Sequence, residues 1–355
     1  MYESIMWTYM KEEKDVLSHL LSISFQKQCS FFDEITSLFI TAHGSSFNAA
    51  LAVSSFFTSL THIPVSVYTP SDFIHTNPSL DWMDPSHTAV LGISQTGSSR
   101  GVLEALAMAK QKGFPIAAVT AAENSLIDRI ADKTFYLECG DEQSNAKTKG
   151  FSATLLLLMI LAMETGKRKG ILKDLSVFEK ELREEIEAIP SVMKETDLWC
   201  RNHSYGKGMK ELFVIGSGMN RAIASEGQLK LMETMCIPSA ANDMQEFSHG
   251  MHRALNPDSH VLLLAGDCDR QLFETTFHYL KKKGIPVLLI CGWKDTPKDD
   301  AVSAGYYPLT QSVLTITAIL QVISAFVPEI NGLDPNRDAN NDYTEEAETR
   351  TALYL

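Results

Sequence analysis

The sequence predicts an α/β protein built from two tandem, doubly wound parallel-sheet domains. Along most of the chain, short apolar runs typical of buried strands alternate with longer segments of helical periodicity, which is the pattern of βαβ units. The same order of strands, turns and helices occurs once in each half of the chain. With 355 residues, the chain is long enough for two such domains. We therefore expect two flavodoxin-like αβα sandwiches in tandem.

Each half opens with a predicted strand that leads into a glycine turn. In the first half the strand Leu38–Ala42 precedes Gly44, and in the second half Leu212–Ile215 precedes Gly216. A helix-like run follows each turn. The two glycines lie 172 positions apart.

Both halves also contain a later strand–helix–strand segment whose helix ends in the same stop signal. The predicted strands are Thr88–Ile93 and Ile116–Thr120 in the first half, and His260–Ala265 and Val287–Ile290 in the second. Each helix ends in Lys-Gly-x-Pro, a signal that stops helices. The glycines of the two signals, Gly113 and Gly284, lie 171 positions apart. Two pairs of signals with nearly equal offsets indicate an internal duplication.

The repeat sets the predicted domain limits. The first domain should also contain a buried helix, because the apolar run 151–163 has 13 residues and is too short to span a bilayer. We predict a leading helix in 1–27, a first domain with a phosphate site in 28–165, a charged helical connector in 166–199, a second domain with a catalytic glutamate and histidine in 200–330, and an irregular tail in 331–355.

Composition excludes several classes of function. A net charge of −13 argues against nucleic acid or an anionic membrane as a partner. The six cysteines are scattered without a Cys-x-x-Cys pair, so we expect reduced thiols, no metal site and a cytoplasmic location. The segment 1–14 is polar and lacks a signal-peptide core.

A loop rich in hydroxyl groups follows the predicted strand Thr88–Ile93. It reads Ser-Gln-Thr-Gly-Ser-Ser and precedes a predicted helix, whose N-terminus favours anions. These residues could simply cap the helix, but a cap needs a single hydroxyl residue. We therefore predict a phosphate site. The corresponding turn of the second half, 266–270, carries two aspartates and should repel phosphate.

Three charged residues share one face of a predicted helix in the second half. Glu226, Lys230 and Glu233 are spaced i, i+4, i+7. Carboxylates beside an ammonium group suit aldose–ketose chemistry, in which a base moves a proton between neighbouring carbons. The alternative is a solvated row of salt bridges. His249, beside a glycine, is either a proton shuttle or a structural histidine.

These motifs resemble the sugar isomerase (SIS) family, in particular the isomerase half of glucosamine-6-phosphate synthase and the fructosamine-6-phosphate deglycases of the fructoselysine-6-phosphate type. The resemblance extends from about residue 35 to about residue 335. The segments that carry it are Gly44–Ser46, Ser71–Phe73, Ser94–Ser99, Glu142–Phe151, Glu226–Glu233 and Glu246–Gly250.

The resemblance implies roles for individual residues. Glu233 is expected to be the base, with Lys230 beside it in the catalytic set. His249 is expected to act near the ring oxygen or the leaving group, from the partner subunit of a homodimer or higher homo-oligomer. The residues expected to bind a sugar 6-phosphate are Gly44, Ser46, Ser94, Gln95, Thr96, Ser99, Ala146 and Glu226.

The chain differs from glucosamine-6-phosphate synthase in two ways that change the expected function. The chain begins Met1-Tyr2-Glu3 without a glutaminase domain, and its tail lacks the lysine that engages the open-chain ketose. We therefore expect a deglycase that cleaves a fructosamine 6-phosphate to a hexose 6-phosphate and an amine, without a metal or an organic cofactor. An amino-sugar or ketose-phosphate isomerase or deaminase is the first alternative, and a non-catalytic sugar-phosphate sensor is the second.

Overall fold

The computed structural model describes residues 4–297 and 301–351. The other residues, which belong to the predicted leading helix, second domain and tail, lie outside the described part. The chain forms two parallel five-stranded sheets. The predicted fold class is therefore confirmed.

The chain divides into two compact units, each built around one sheet. The N-sheet unit comprises Val16–Asp141, Gly150–Val177 and Asp338–Leu355. The C-sheet unit comprises Met1–Asp15, Glu142–Lys149 and Phe178–Arg337. The short segment Glu142–Lys149 thus groups with the second half of the sequence. The domain limits expected from the repeat remain a prediction.

The sheet of the N-sheet unit has the strand order β2-β1-β3-β4-β5, with every neighbouring pair parallel. Strands β1, β3 and β4 were predicted from their apolar runs, whereas β2 and β5 are short and only partly buried. The strands are β1 (Ser37–Ala42), β2 (Val65–Tyr68), β3 (Thr88–Ile93), β4 (Ile116–Thr120) and β5 (Lys133–Tyr136).

Helices cover both faces of this sheet. Because the chain reverses direction at β1, right-handed crossovers place α2 and α4 on opposite faces. On the α4 face, Phe39 and Val90 of the sheet pack with Leu106. The helices are α2 (Gly44–Thr61), α3 (Pro70–His75), α4 (Arg100–Gln111), α5 (Leu126–Ile130) and α6 (Lys149–Arg168), with a short α12 (Tyr343–Glu346) in the tail.

The sheet of the C-sheet unit repeats the same topology, with the strand order β10-β9-β8-β6-β7. Read along the chain, both orders are 2-1-3-4-5, which is the flavodoxin-like arrangement and confirms the duplication. The strands are β6 (Glu211–Gly216), β7 (Ser239–Asp243), β8 (Ser259–Ala265), β9 (Val287–Cys291) and β10 (Ala301–Ser303).

The helices of the C-sheet unit also lie on two faces. Successive residues of β6 point in opposite directions: Phe213 and Ile215 pack in the cluster that contains Phe247 of α9 and Phe277 of α10, whereas Val214 packs near Gly227 of α8. The helices are α7 (Ser176–His203), α8 (Met219–Met235), α9 (Met244–His249), α10 (Arg270–Lys282) and α11 (Val313–Ile330), together with the first part of α1 (Ile5–Ser22).

Two helices of the described chain, α6 and α11, are long and apolar enough to cross a membrane by length and composition alone. In the structure, 94% of the apolar window of α6 and 89% of that of α11 are buried inside the protein. This burial is typical of the core helices of a soluble protein.

A buried carboxylate anchors α11 to α7. Glu185 is fully buried, and its Oε1 accepts hydrogen bonds from the amides of Leu314 (2.8 Å) and Thr315 (3.0 Å). Its Oε2 accepts a bond of 2.7 Å from the Thr310 hydroxyl. The carboxylate therefore satisfies donors at the start of α11 that would otherwise be buried without partners.

We predict that Glu185→Ala destabilises the protein by about 2–4 kcal/mol, because several buried donors lose their acceptor at once. Glu187 on the same helix is the matched control. It forms an ion pair of 2.6 Å with Lys14 while 57% of its side chain is exposed, so Glu187→Ala should change stability by at most about 1 kcal/mol. Urea unfolding followed by tryptophan fluorescence measures both changes. Equal midpoints for the two variants would contradict this role of Glu185.

Candidate functional site

The loop between β3 and α4 brings hydroxyl groups together. Ser94, buried at the end of β3, shares a hydrogen bond of 2.9 Å with the hydroxyl of Ser99, the residue that precedes α4. Thr96 and Ser98 share another of 3.0 Å. The Ser99 hydroxyl makes no capping hydrogen bond to the backbone of α4. The simple capping role considered for these residues therefore does not describe Ser99, and its hydroxyl faces Ser94 instead.

Gly97 makes the tight turn of this loop. Its φ of +68° lies in the left-handed region that favours glycine. A Cβ at this position would also overlap the side chain of Ser125. Two independent constraints therefore require glycine here. The Ser125 hydroxyl is buried against the loop without a hydrogen-bond partner in the protein.

The loop lies at the point where the strand order of its sheet reverses. Residues Ala42 of β1 and Ile93 of β3 are direct partners in the sheet, so the turn that contains Gly44 and Ser46 emerges beside Ser94. Gly44 has a φ of +52° and is exposed, and Ser46 is half-buried in the first turn of α2. Ligands of open α/β sheets bind at this edge, beside such a reversal.

The side chain of Gln95 packs on the start of α6. A Cβ at Gly150 would overlap the Gln95 amide group, so this contact needs a glycine. The Gln95 carbonyl accepts a hydrogen bond of 3.0 Å from the Ala121 amide. The loop is therefore held from both sides before any ligand binds, while Thr96 remains exposed.

The C-terminal tail pairs with the end of the loop. The Thr351 amide donates to the Ser98 carbonyl (3.0 Å), and the Arg100 amide donates to the Thr349 carbonyl (3.1 Å). The Arg100 guanidinium also pairs with Glu348 at 2.9 Å. Because the tail occupies the first amide of α4, the helix N-terminus offers one donor fewer to a ligand.

The matching edge of the second sheet is closed by a carboxylate. Asp269 accepts hydrogen bonds from the Ser217 hydroxyl (2.7 Å) and from the Gln245 side chain (2.8 Å). Gln311 accepts a bond of 3.1 Å from the Met219 amide at the start of α8. The protein's own oxygen atoms therefore occupy the donors that hold an anion in such a turn.

A buried ion pair lies in the middle of α8. Lys230 Nζ is 2.8 Å from Glu226 Oε1, and the two side chains are 0% and 1% exposed. Burial alone would lower the pKa of Lys230, but the Glu226 carboxylate outweighs it and raises that pKa. The predicted alternative, a solvated row of salt bridges, is therefore wrong for these two residues.

The segment Glu142–Lys149 packs against this pair. Lys230 Nζ donates to the carbonyl of Lys147, and the buried Glu142 carboxylate accepts from the Thr148 amide and hydroxyl. Ala146 is buried, and its carbonyl accepts a bond of 2.9 Å from Ser144. The segment is thus a rigid loop that belongs, with α8, to the C-sheet unit.

Glu233 lies one turn beyond Lys230, near the end of α8. Its side chain is exposed, but the protein around its carboxyl group raises the pKa of that group to about 7 by burial. Glu226 also raises the pKa, whereas the positive charges of Lys230 and Lys147 lower it. A carboxyl group that titrates near neutral pH is suited to accept and return a proton.

His249 does not lie beside Glu233 within the C-sheet unit. It ends α9, whose Phe247 packs on the sheet face covered by α10, whereas α8 lies on the opposite face. The His249 side chain is exposed. The nearby His252 has a structural contact, because its Nδ1 lies 3.1 Å from the Phe247 carbonyl and its ring packs edge-on against Phe247.

Two features of the C-sheet unit were not predicted. Lys147 supplies the carbonyl that holds Lys230 and a charge that acts on Glu233, and Arg337 donates a bond of 2.7 Å to the Thr234 carbonyl at the end of α8. Only the lysine had a signal in the sequence, its place in the Glu142–Phe151 motif. Within the described ranges, no group of three or more His, Cys, Asp or Glu residues is arranged to hold a metal ion.

We predict that Ser94→Ala combined with Ser99→Ala raises the dissociation constant of glucose 6-phosphate by about two to four orders of magnitude, because each of the two charge-assisted hydrogen bonds contributes about 1.5–3 kcal/mol. Ser98→Ala, in the same loop but outside the predicted set, should change it by much less. Isothermal titration calorimetry measures both constants. Unchanged binding in the double variant would remove the loop from phosphate recognition.

Comparisons with known proteins agree with this architecture. The chain is 31% identical over 338 residues to glutamine–fructose-6-phosphate aminotransferase (isomerizing) of Clostridium tetani, a match that covers 92% of this chain and 54% of that protein. A similar match to the enzyme of the same name from Caldanaerobacter subterraneus has 29% identity and covers 87% of this chain and 51% of the relative. The chain thus spans about half the length of these curated relatives.

Solved structures show the same fold over nearly the whole chain. A protein from Clostridium difficile 630, provisionally named a phosphosugar isomerase, superposes with a TM-score of 0.86 at 28% identity and covers 96% of this chain and 97% of that one. The C-terminal domain of glucosamine-fructose-6-phosphate aminotransferase from Francisella tularensis has a TM-score of 0.83 at 22% identity, covering 95% of this chain and 99% of the domain. At that lower identity the likeness concerns the fold.

The family comparison agrees with the duplicated fold. The SIS domain matches residues 31–164, which contain all of the first sheet, and residues 208–326, which contain all of the second. These two regions make up most of the chain. The chain belongs to the SIS domain family.

Proposed function

We propose that this protein is a phosphosugar-processing enzyme that moves a proton between the first two carbons of its substrate. The observation that supports this most directly is the place of Glu233 on α8, one turn beyond the buried Glu226–Lys230 ion pair, where burial also raises its pKa to about 7. A sensor that only binds a sugar phosphate has no need of a base at this position. The names of the relatives, aminotransferases that isomerize a sugar phosphate, support the same class of chemistry.

The hydroxyl-rich loop is proposed to hold the phosphate. Ser94, Gln95, Thr96 and Ser99 supply the donors, and Gly44 and Ser46 line the same sheet edge. The turn that contains Asp269 is not proposed as a second phosphate site, since a fixed carboxylate there would repel the dianion.

The residues of α8 are proposed to carry out the proton transfer. Glu233 acts as the base, and Lys230 provides a fixed positive charge one turn away, held by Glu226. Ala146 belongs to the loop whose Lys147 carbonyl accepts a hydrogen bond from the Lys230 ammonium group. The proposed role of Ala146 is to contact the substrate through its backbone.

The reaction we favour is the cleavage of a fructosamine 6-phosphate. Glu233 removes a proton from C1 and an enaminol forms. Return of a proton to C2 gives an imine at C1, and water then adds to C1 and releases the amine and glucose 6-phosphate. The C2 carbonyl takes up the electron pair when C1 loses its proton, and the nitrogen lone pair forms the C1=N bond when C2 gains one, so the step requires no redox partner.

We predict that Glu233→Gln leaves substrate binding nearly intact and lowers turnover by about 10²–10⁴-fold, because the amide keeps the shape but cannot accept a proton. Single-turnover release of amine from fructoselysine 6-phosphate measures the chemistry, with calorimetry for binding. Release of ammonia from glucosamine 6-phosphate, or interconversion of a ketose and an aldose phosphate, would favour the deaminase or isomerase alternative instead. Full turnover by Glu233→Gln on every such substrate would contradict the proposed base.

We predict that turnover falls with decreasing pH below about 7, because the base must be ionised and burial raises the pKa of Glu233 to about 7. Lys147→Met should move this acid limb to higher pH, because the Lys147 charge lowers that pKa. Lys210→Met, an exposed change elsewhere in the unit, should leave the limb in place. If the acid limb lies near the ordinary pKa of glutamate, or does not move in the Lys147→Met variant, the titrating group is not Glu233.

The position of His249 allows a test of whether two subunits contribute residues to one active site. Because α9 and α8 lie on opposite faces of the sheet, we propose that His249 completes the site of a partner subunit in a homodimer. Mixing inactive Glu233→Gln and His249→Ala chains should restore about a quarter of the wild-type activity, since half of the randomly paired dimers are mixed and each mixed dimer has one intact site. Mixing Glu233→Gln with Lys230→Met chains should restore none. Absence of recovery in the first mixture would contradict a shared site.

A further inference from the structure

A pocket of about 490 Å³ lies within the C-sheet unit, and none of the candidate site residues lines it. It opens between the first part of α1 and α7, and the end of α11 closes one side. Its volume falls in the range of small-molecule sites. The lining residues are Trp7, Met10, Lys11, Lys14, Pro190, Met193, Lys194, Asp197, Arg201 and Glu329.

The floor of the pocket is apolar, and a hydrogen bond holds the aromatic ring of its wall. Met10 of α1 and Met193 of α7 are 1% and 8% exposed, and both line the pocket. The Trp7 indole N–H donates a hydrogen bond of 2.9 Å to Glu329, which fixes the ring in the wall. Methionine and tryptophan present broad, polarizable surfaces that suit a flat apolar group.

The rim of the pocket carries more cationic than anionic side chains, although the chain as a whole carries −13. Of its four cationic residues, Lys14 is paired with Glu187 and Arg201 with Asp197, and the other two, Lys11 and Lys194, line the rim together with the second carboxylate, Glu329. Both carboxylates already have partners: Glu329 also accepts from the Ser4 amide at 3.1 Å, and Asp197 forms a two-point ion pair of 2.9 Å with Arg201. Lys194, in the described part of the chain, has no ion-pair partner and is exposed at the pocket mouth.

This lining selects a class of ligand. Among the described residues that form it there is no serine, threonine, asparagine or glutamine. Sugars are bound through many hydrogen bonds to their hydroxyl groups, so the pocket does not suit the proposed substrate. An apolar floor with a cationic rim is complementary to a molecule that has a flat apolar body and one anionic group.

We propose that this pocket binds a small aromatic or branched apolar carboxylate, with its apolar body between Met10 and Met193 and its anionic group at Lys194. This site is separate from the proposed phosphosugar chemistry and does not depend on it.

The test compares two probes of the same shape. Calorimetric titration of the full-length protein with 1-naphthaleneacetate should show binding at least about ten-fold tighter than that of its neutral amide, 1-naphthaleneacetamide, because a charge-assisted hydrogen bond is lost in the amide. Acetate alone should not compete, because it lacks the apolar body. Saturation with glucose 6-phosphate should leave the binding of naphthaleneacetate in place.

Variants locate the site. Lys194→Gln should weaken naphthaleneacetate binding by about ten-fold and leave the amide unchanged, since only the charged ligand uses the ammonium group. Lys180→Gln, an exposed change on the same helix away from the pocket, is the matched control and should have no effect. Equal binding of the two probes, displacement by glucose 6-phosphate, or an unchanged constant in Lys194→Gln would each overturn the proposal.

Discussion

The buried ion pair between Glu226 and Lys230 is the interaction on which the candidate catalytic region depends. Both charges are removed from water, a large cost that is offset only when each charge finds close partners. Glu226 supplies one partner and the Lys147 carbonyl another. Removing one member of such a pair typically costs about 3–5 kcal/mol, so the pair fixes the position of the loop against α8.

The same pair sets the electrostatics of Glu233. Its carboxyl group is close to a lysine that favours its ionisation and to a glutamate that opposes it, while burial also opposes ionisation. The opposing contributions leave a raised pKa, so a small change in the surrounding charges shifts the fraction ionised at neutral pH. If Glu226 and Lys230 were exposed, solvent would screen their charges and weaken their effect on Glu233.

Because of the duplication, the chain has two equivalent sheet edges, and these edges carry different side chains. At the first edge, small hydroxyl side chains surround a glycine turn and bond mainly to one another, so a ligand can replace those contacts. At the second edge, Asp269 is hydrogen-bonded to Ser217 and Gln245. One edge is thus suited to an anion, and the other uses its own carboxylate to stabilise the turn. The same topology therefore carries a hydroxyl-rich loop in one unit and a carboxylate-stabilised turn in the other.

The sequence by itself determined the fold class, the duplication and the residue types of the candidate site. Apolar strands, glycine turns and Lys-Gly-x-Pro stops are local signals, so they could be read without knowing any contact. The strands β2, β5, β7 and β10 were missed because they are short or only partly buried and lack a long apolar run. The hydroxyl loop and the Glu226–Glu233 face were likewise visible as spacing.

Only the tertiary structure decided which charges are buried and which elements meet. Spacing on a helix places Glu226 and Lys230 on one face, but whether that face meets solvent or protein depends on residues far away in the chain, such as Lys147. The separation of His249 from α8 likewise follows from the face on which each helix crosses the sheet. Burial and sidedness arise from contacts between distant segments, and the order of residues in a single sequence does not record them.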